Sequence, residues 1–138
     1  LAFGYRFETP DRTVVVSGDT RPSEAVVQLC HGCDILIHEV YSSEKWELKP
    51  DDWKEYHAAS HTSGIQLGEL AARARPGLLV LTHQLLWGAT PDELVAEVRA
   101  GFLMPEEVKS LPRSPPSSSA ASSANTTPRV LPSSRSSR

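Results

Sequence analysis

Three short apolar, β-favouring runs at 13–17, 34–38 and 78–82 constrain the architecture most, because turn-forming or polar residues bound each one and helical patterns separate them. Runs of this kind read as strands buried on both faces, as in a parallel sheet covered by helices. Between them, Ala25, Val26 and Leu29 share a helical face after Pro22. Leu67, Leu70, Ala71 and Ala74 recur at i, i+3, i+4 and i+7 behind a capping box of Ser63 and Gln66. A second capping box, Thr90 with Glu93, has Pro91 at the first helical position and opens a helix to about Phe102, with Leu94, Val95, Val98 and Phe102 inward. At the front, Phe3, Tyr5 and Phe7 alternate with polar partners over 2–9, and Pro10, Asp11 and Arg12 turn the chain back into 13–17. The expected order is β-β-α-β-α-β-α, an α/β domain with a mixed or mostly parallel sheet.

Two stretches lack these patterns. Residues 41–60 read as a long irregular loop carrying Trp46, Trp53 and Tyr56, of a length usually kept for function. From 103 onward aromatic residues vanish and Ser, Pro and Arg dominate, leaving too little apolar surface to offset the entropy of ordering. The expected division is a domain at 1–102 and a low-complexity, disordered tail at 103–138. The chain starts at Leu1 and its one methionine is Met104, so the expectation is a fragment.

A net charge of −3 excludes a body-wide basic surface for nucleic acid. No apolar run approaches the length of a membrane span, and the N-terminus lacks a signal-peptide layout, so a cytoplasmic protein without membrane contact is expected. Cys30 and Cys33 form a C-x-x-C pair at a helix end, the wrong pole for a reactive thiolate, and no second pair completes a zinc site. They read as two reduced, partly buried thiols.

In α/β sheets ligands gather beyond the carboxyl ends of the strands. Asp19, the pair His38 and Glu39, and His83 all stand at such ends. A single histidine there is more often structural, but the coincidence over three strands favours a site. His61 stands at the mouth of a helix, where free N–H groups also favour anions. Thr20 and Arg21 are placed to contact a phosphate, or equally to serve as a helix-entry hydroxyl and a solvated cation. His57 and His31 read as ordinary exposed residues.

Ser17-Gly18-Asp19-Thr20-Arg21-Pro22, Leu36-Ile37-His38-Glu39-Val40, His61-Thr62-Ser63 and Val80-Leu81-Thr82-His83, in that order, resemble the C-terminal half of metallo-β-lactamase-fold hydrolases, and within them most nearly ribonuclease Z. The resemblance spans roughly 2–102. It implies part of an αββα sandwich and a hydrolase with two zinc ions in the complete domain. Asp19 is then the bridging carboxylate and His83 a ligand of the second zinc. Glu39 and His61 take catalytic places beside the metals, His61 as general acid oriented by Glu39, and His38 is not a ligand. Thr20 and Arg21 fall to substrate binding, with a tRNA precursor as RNA partner and a homodimer in the complete protein. The H-x-H-x-D-H signature that supplies most zinc ligands is absent from the chain, so this chain alone is expected to be inactive. Other readings on the same scaffold are a hydrolase of esters or sulfates and a non-catalytic binding protein using the 41–60 loop.

Overall fold

The structure, a computed structural model, describes residues 3–103 and 129–132. It contains β1 (Tyr5–Glu8), β2 (Thr13–Val16), α1 (Glu24–Cys30), β3 (Ile35–Tyr41), α2 (Ser43–Glu47), α3 (Asp51–Ser60), α4 (Gly64–Ala74), β4 (Leu78–Leu85), α5 (Pro91–Phe102) and β5 (Arg129–Pro132). The strands form one sheet in the order β1-β2-β3-β4-β5. β1 and β2 pair antiparallel as a hairpin, and β2 through β5 run parallel. Strands parallel to their predecessors need crossovers, and α1, α4 and α5 supply them.

Alternation along the strands divides the sheet into two unlike faces. Val15, Leu36, Leu79, Leu81 and Val130 turn toward the helices and are buried with Val26, Val27, Leu67, Leu70, Ala71, Leu94, Val95 and Val98 in one core. The register places Tyr5 opposite Val16, Val16 opposite Ile37, Ile37 opposite Val80 and Val80 opposite Leu131 on the other face. That second face is apolar yet half-exposed, with Tyr5, Phe7 and Leu131 among the exposed large hydrophobic residues. Among the described residues, no helix is long and apolar enough to cross a membrane.

Both capping boxes form as the sequence predicts, Ser63 with Gln66 and Thr90 with Glu93. α4 and α5 cross backbone against backbone through two glycines. A Cβ at Gly68 would run into the carbonyl oxygen of Val98, and one at Gly101 into the carbonyl oxygen of Ile65.

Three expectations are corrected. Residues 41–60 are no loop: they hold α2 and α3, and Trp53, Tyr56, His57 and Ser60 recur at helical spacing that the polar residues between them mask. The stretch after 103 contributes β5, whose buried Val130 packs on the core while Pro132 sits at an edge that needs no N–H. One inward side chain suffices for a four-residue edge strand, too weak a signal to read against Ser and Pro. The remainder of that stretch, 104–128 and 133–138, and residues 1–2 lie outside the described residues. Cys30 and Cys33 form a disulfide rather than two thiols, since left-handed His31 and Gly32 fold the chain back after α1 and bring their Cα atoms to 4.7 Å.

Gly68→Ala and Gly101→Ala are each expected to destabilise the fold by roughly 1–3 kcal/mol, the usual cost of overpacking, in chemical denaturation. Gln28→Ala on the exposed side of α1 serves as the neutral comparison.

Candidate metal centre

Parallel strands carry their carboxyl ends to one edge, and here each end is shaped differently. After β2 the chain turns at Gly18, whose φ of +65° is left-handed and whose added Cβ would lie 2.9 Å from the carbonyl oxygen of Phe3. The turn leaves Asp19 exposed at the rim. In β4 the ladder to β3 shifts by one residue: Thr82 pairs with Glu39 and Gln84 with Val40. His83 is the extra residue of this bulge, held at φ +40°, and its side chain is directed out of the ladder. The third contribution is the α3–α4 junction. His61 caps α3 and donates its N–H to the carbonyl of His57 at 2.8 Å. Thr62 then accepts the N–H of Tyr41 at 2.9 Å, clipping the junction to the end of β3.

These three pieces bring Asp19, His61 and His83 together, with one donor atom from each inside a common 4.8 Å. Nδ1 of His83 lies 3.3 Å from Oδ1 of Asp19, and the rings of His61 and His83 are 5.5 Å apart. One carboxylate and two imidazoles offer the oxygen and nitrogen donors that zinc and related metals accept, so the donor set fits a metal ion.

Glu39 lies beneath this triad, fully buried, accepting the N–H of Thr62 at 2.7 Å and facing Nδ1 of His61 at 3.2 Å. Burial pushes its carboxyl up to about 8, against the backbone N–H groups of Thr62 and Thr20, which favour the charged form. Burial also lowers the pKa of His61, with nearby Asp19 acting the other way. With Nδ1 turned to Glu39, Nε2 is the nitrogen His61 has free for a ligand or a proton.

Thr20 and Arg21 are not drawn into the cluster as the other four are. The Thr20 hydroxyl donates to the carbonyl of Arg21, its own carbonyl accepts the Thr62 hydroxyl, and Arg21 is exposed and in none of the ion pairs among the described residues. His38 points away from the rim into the helical side of the core. It is fully buried, donates through Nδ1 to the carbonyl of Glu39 at 2.7 Å, and leaves Nε2 without a partner; burial lowers its pKa to about 4. His57, expected to be exposed, is 8% exposed: Nδ1 donates to the carbonyl of Trp53, and the ring stacks beside His61 at 5.7 Å. Its signal was the i, i+4 spacing from Trp53, visible only if 51–60 is taken as a helix. Trp87, and Glu97 at the N-terminus of α2, escape sequence reasoning altogether; Glu97 accepts the Ser43 N–H at 2.6 Å and the Ser42 hydroxyl at 2.7 Å.

Ribonuclease Z of Mycobacterium sp. (strain KMS) is 33% identical to the chain over 106 residues, 77% of this chain and 37% of the relative. Ribonuclease Z of Anoxybacillus flavithermus is 35% identical over 105 residues, 72% of this chain and 31% of the relative. The metallo-β-lactamase fold protein YhfI from Bacillus subtilis superposes with a TM-score of 0.53 at 25% identity, over 68% of this chain and 35% of that one. The chain is ribonuclease Z-like, with part of a metallo-β-lactamase fold. It spans about a third of the length of the ribonuclease Z relatives it matches. No family model matches the sequence.

In this ribonuclease Z-like fold the buried His38 sets an acid limit on stability. Its pKa is depressed, so the unfolded chain binds the proton first as pH falls, and stability present above about 6.5 is lost progressively toward about 4. His38→Leu is expected to remove this dependence, so that the wild type loses roughly 3 kcal/mol relative to the variant between those pH values, read from urea unfolding as a function of pH.

Proposed function

We propose that the chain supplies one side of the metal-dependent phosphodiesterase centre of a ribonuclease Z-like enzyme acting on RNA, with tRNA 3′ ends as the substrate class. The observation carrying this reading is the convergence of Asp19, His61 and His83 from three separate segments within 4.8 Å, in a chain similar to ribonuclease Z over 77% of its length. Asp19 and His83, both exposed at the rim, would hold zinc. When bound, such a metal supplies Lewis-acid polarisation of a phosphoryl oxygen. His61 would move a proton, through Nε2, to the leaving oxygen, with Glu39 fixing its ring by facing Nδ1. Burial of Glu39 keeps bulk water from that contact.

Zinc sites take about four ligands each, and Asp19 with His83 cannot complete two of them. The chain by itself is therefore proposed to bind one zinc and to lack turnover. Calorimetric titration of the 138-residue chain should show one zinc per chain, with Asp19→Ala and His83→Ala each weakening it by about tenfold or more. Absence of zinc binding, or an affinity indifferent to both substitutions, would remove the metal centre. Two tightly held zinc ions with hydrolysis of precursor tRNA would show that the chain is complete without further ligands.

A further inference from the structure

The imidazoles of the candidate centre do not end at its rim but continue into a surface of rings. His83 lies 5.5 Å from His61, His61 5.7 Å from His57, and His57 3.9 Å from Trp53 and 5.0 Å from Trp87. Trp53 meets Trp87 edge-on at 5.0 Å, and Tyr56 meets His57 at 5.0 Å. This cluster is not sealed: Trp53 is 38% and Tyr56 64% exposed, and Trp87 is half-buried. We propose that Trp53, Tyr56 and Trp87, with Lys49 beside them, form a stacking subsite for unpaired bases of a single-stranded RNA whose backbone passes the Asp19–His61–His83 rim.

Three independent features favour that occupant. Trp87 is held at φ +47°, a left-handed backbone that a bulky residue adopts only at a cost in strain. A large ring is thus kept where the backbone disfavours it, against Tyr41, Trp53 and His57. Lys49 lies 5.2 Å from the Trp53 ring and 5.5 Å from the Trp87 ring and has no ion pair among the described residues. A cation held only by ring faces exchanges readily for a phosphate. The acids of the neighbourhood are mostly engaged or turned away: helical spacing places Asp51 and Glu55 on the side of α3 opposite Trp53 and His57, Asp52 accepts the Trp53 N–H at 2.9 Å, and Glu47 is paired with Lys54. Ring faces with a free cation are the means by which proteins hold single strands of any sequence, since every base has a π-face.

The inference rests on the RNA reading of the centre, and the two fail separately. All three tryptophans of the chain, Trp46, Trp53 and Trp87, lie in or beside this region, so intrinsic fluorescence reports on it directly. The 138-residue chain, in buffer with EDTA, is titrated with single-stranded hexa-adenylate and with an RNA duplex of equal length. Quenching by the single strand, with affinity lowered about tenfold in Tyr56→Ala and in Lys49→Ala, is expected. Tyr56 is exposed and Lys49 half-buried, and an unchanged circular dichroism spectrum and unchanged zinc affinity verify that the variants fold and keep the rim intact. Single-strand binding that neither substitution weakens, duplex binding equal to single-strand binding, or no binding at all each overturns the subsite while leaving the metal centre standing. Loss of zinc binding at Asp19 and His83 with oligonucleotide binding intact would remove the hydrolase reading and leave the subsite.

Discussion

The site depends on one buried carboxylate. Glu39 has no exposed surface, and leaving such a group unpaired would cost several kcal/mol, so the chain around it is arranged to meet its oxygens. Oε1 takes the N–H of Thr62 and Oε2 faces His61, while the Thr62 hydroxyl reaches back to the carbonyl of Thr20. A strand end, a helix junction and the loop after β2 are tied to one another through that single side chain. Asp19 and His61 take their relative places from it, because each lies within a residue of a group bound into this network.

The second constraint is the way α2 and α3 are attached. Their anchors are few and specific: Glu97 of α5 caps the N-terminus of α2, Tyr41 at the end of β3 meets Trp46 and Trp87, and the Trp46 indole donates to the carbonyl of Lys54. Gly64 is part of the same arrangement, since a Cβ there would lie 2.8 Å from the Glu97 carboxylate. The helices therefore sit on aromatic and capping contacts rather than on the aliphatic core, and the surface they present beside the triad is polar and aromatic. That character separates this rim from the apolar sheet face defined by Val16, Ile37 and Val80.

Much of this is legible in the amino-acid sequence. The hairpin, the three parallel strands and α1, α4 and α5 follow from period-two and period-3.6 patterns with capping residues at the expected places, because burial on one side writes itself into spacing. Asp19, Glu39, His61 and His83 were legible as strand-end and helix-mouth residues. α3 was not, since the one buried residue it offers is His57 rather than an aliphatic stripe, and β5 was not, since a single inward valine carries it. The disulfide escaped a reading based on helix polarity alone, because the backbone reversal at His31 and Gly32 depends on φ values no pattern displays.

The sequence by itself determined which aliphatic residues of β2, β3, β4, α1, α4 and α5 are buried, where α4 and α5 begin, and which side chains of metal-binding chemistry stand at strand ends, since these depend on neighbours a few positions away. Tertiary structure alone decided that His83 leaves the ladder through a bulge, that His57 turns inward to stack on His61, and that Trp87 is held in a left-handed backbone against Tyr41 and Trp53. Those outcomes arise from contacts between segments tens of residues apart, where the free energy of packing outweighs local preference, and no local pattern records them.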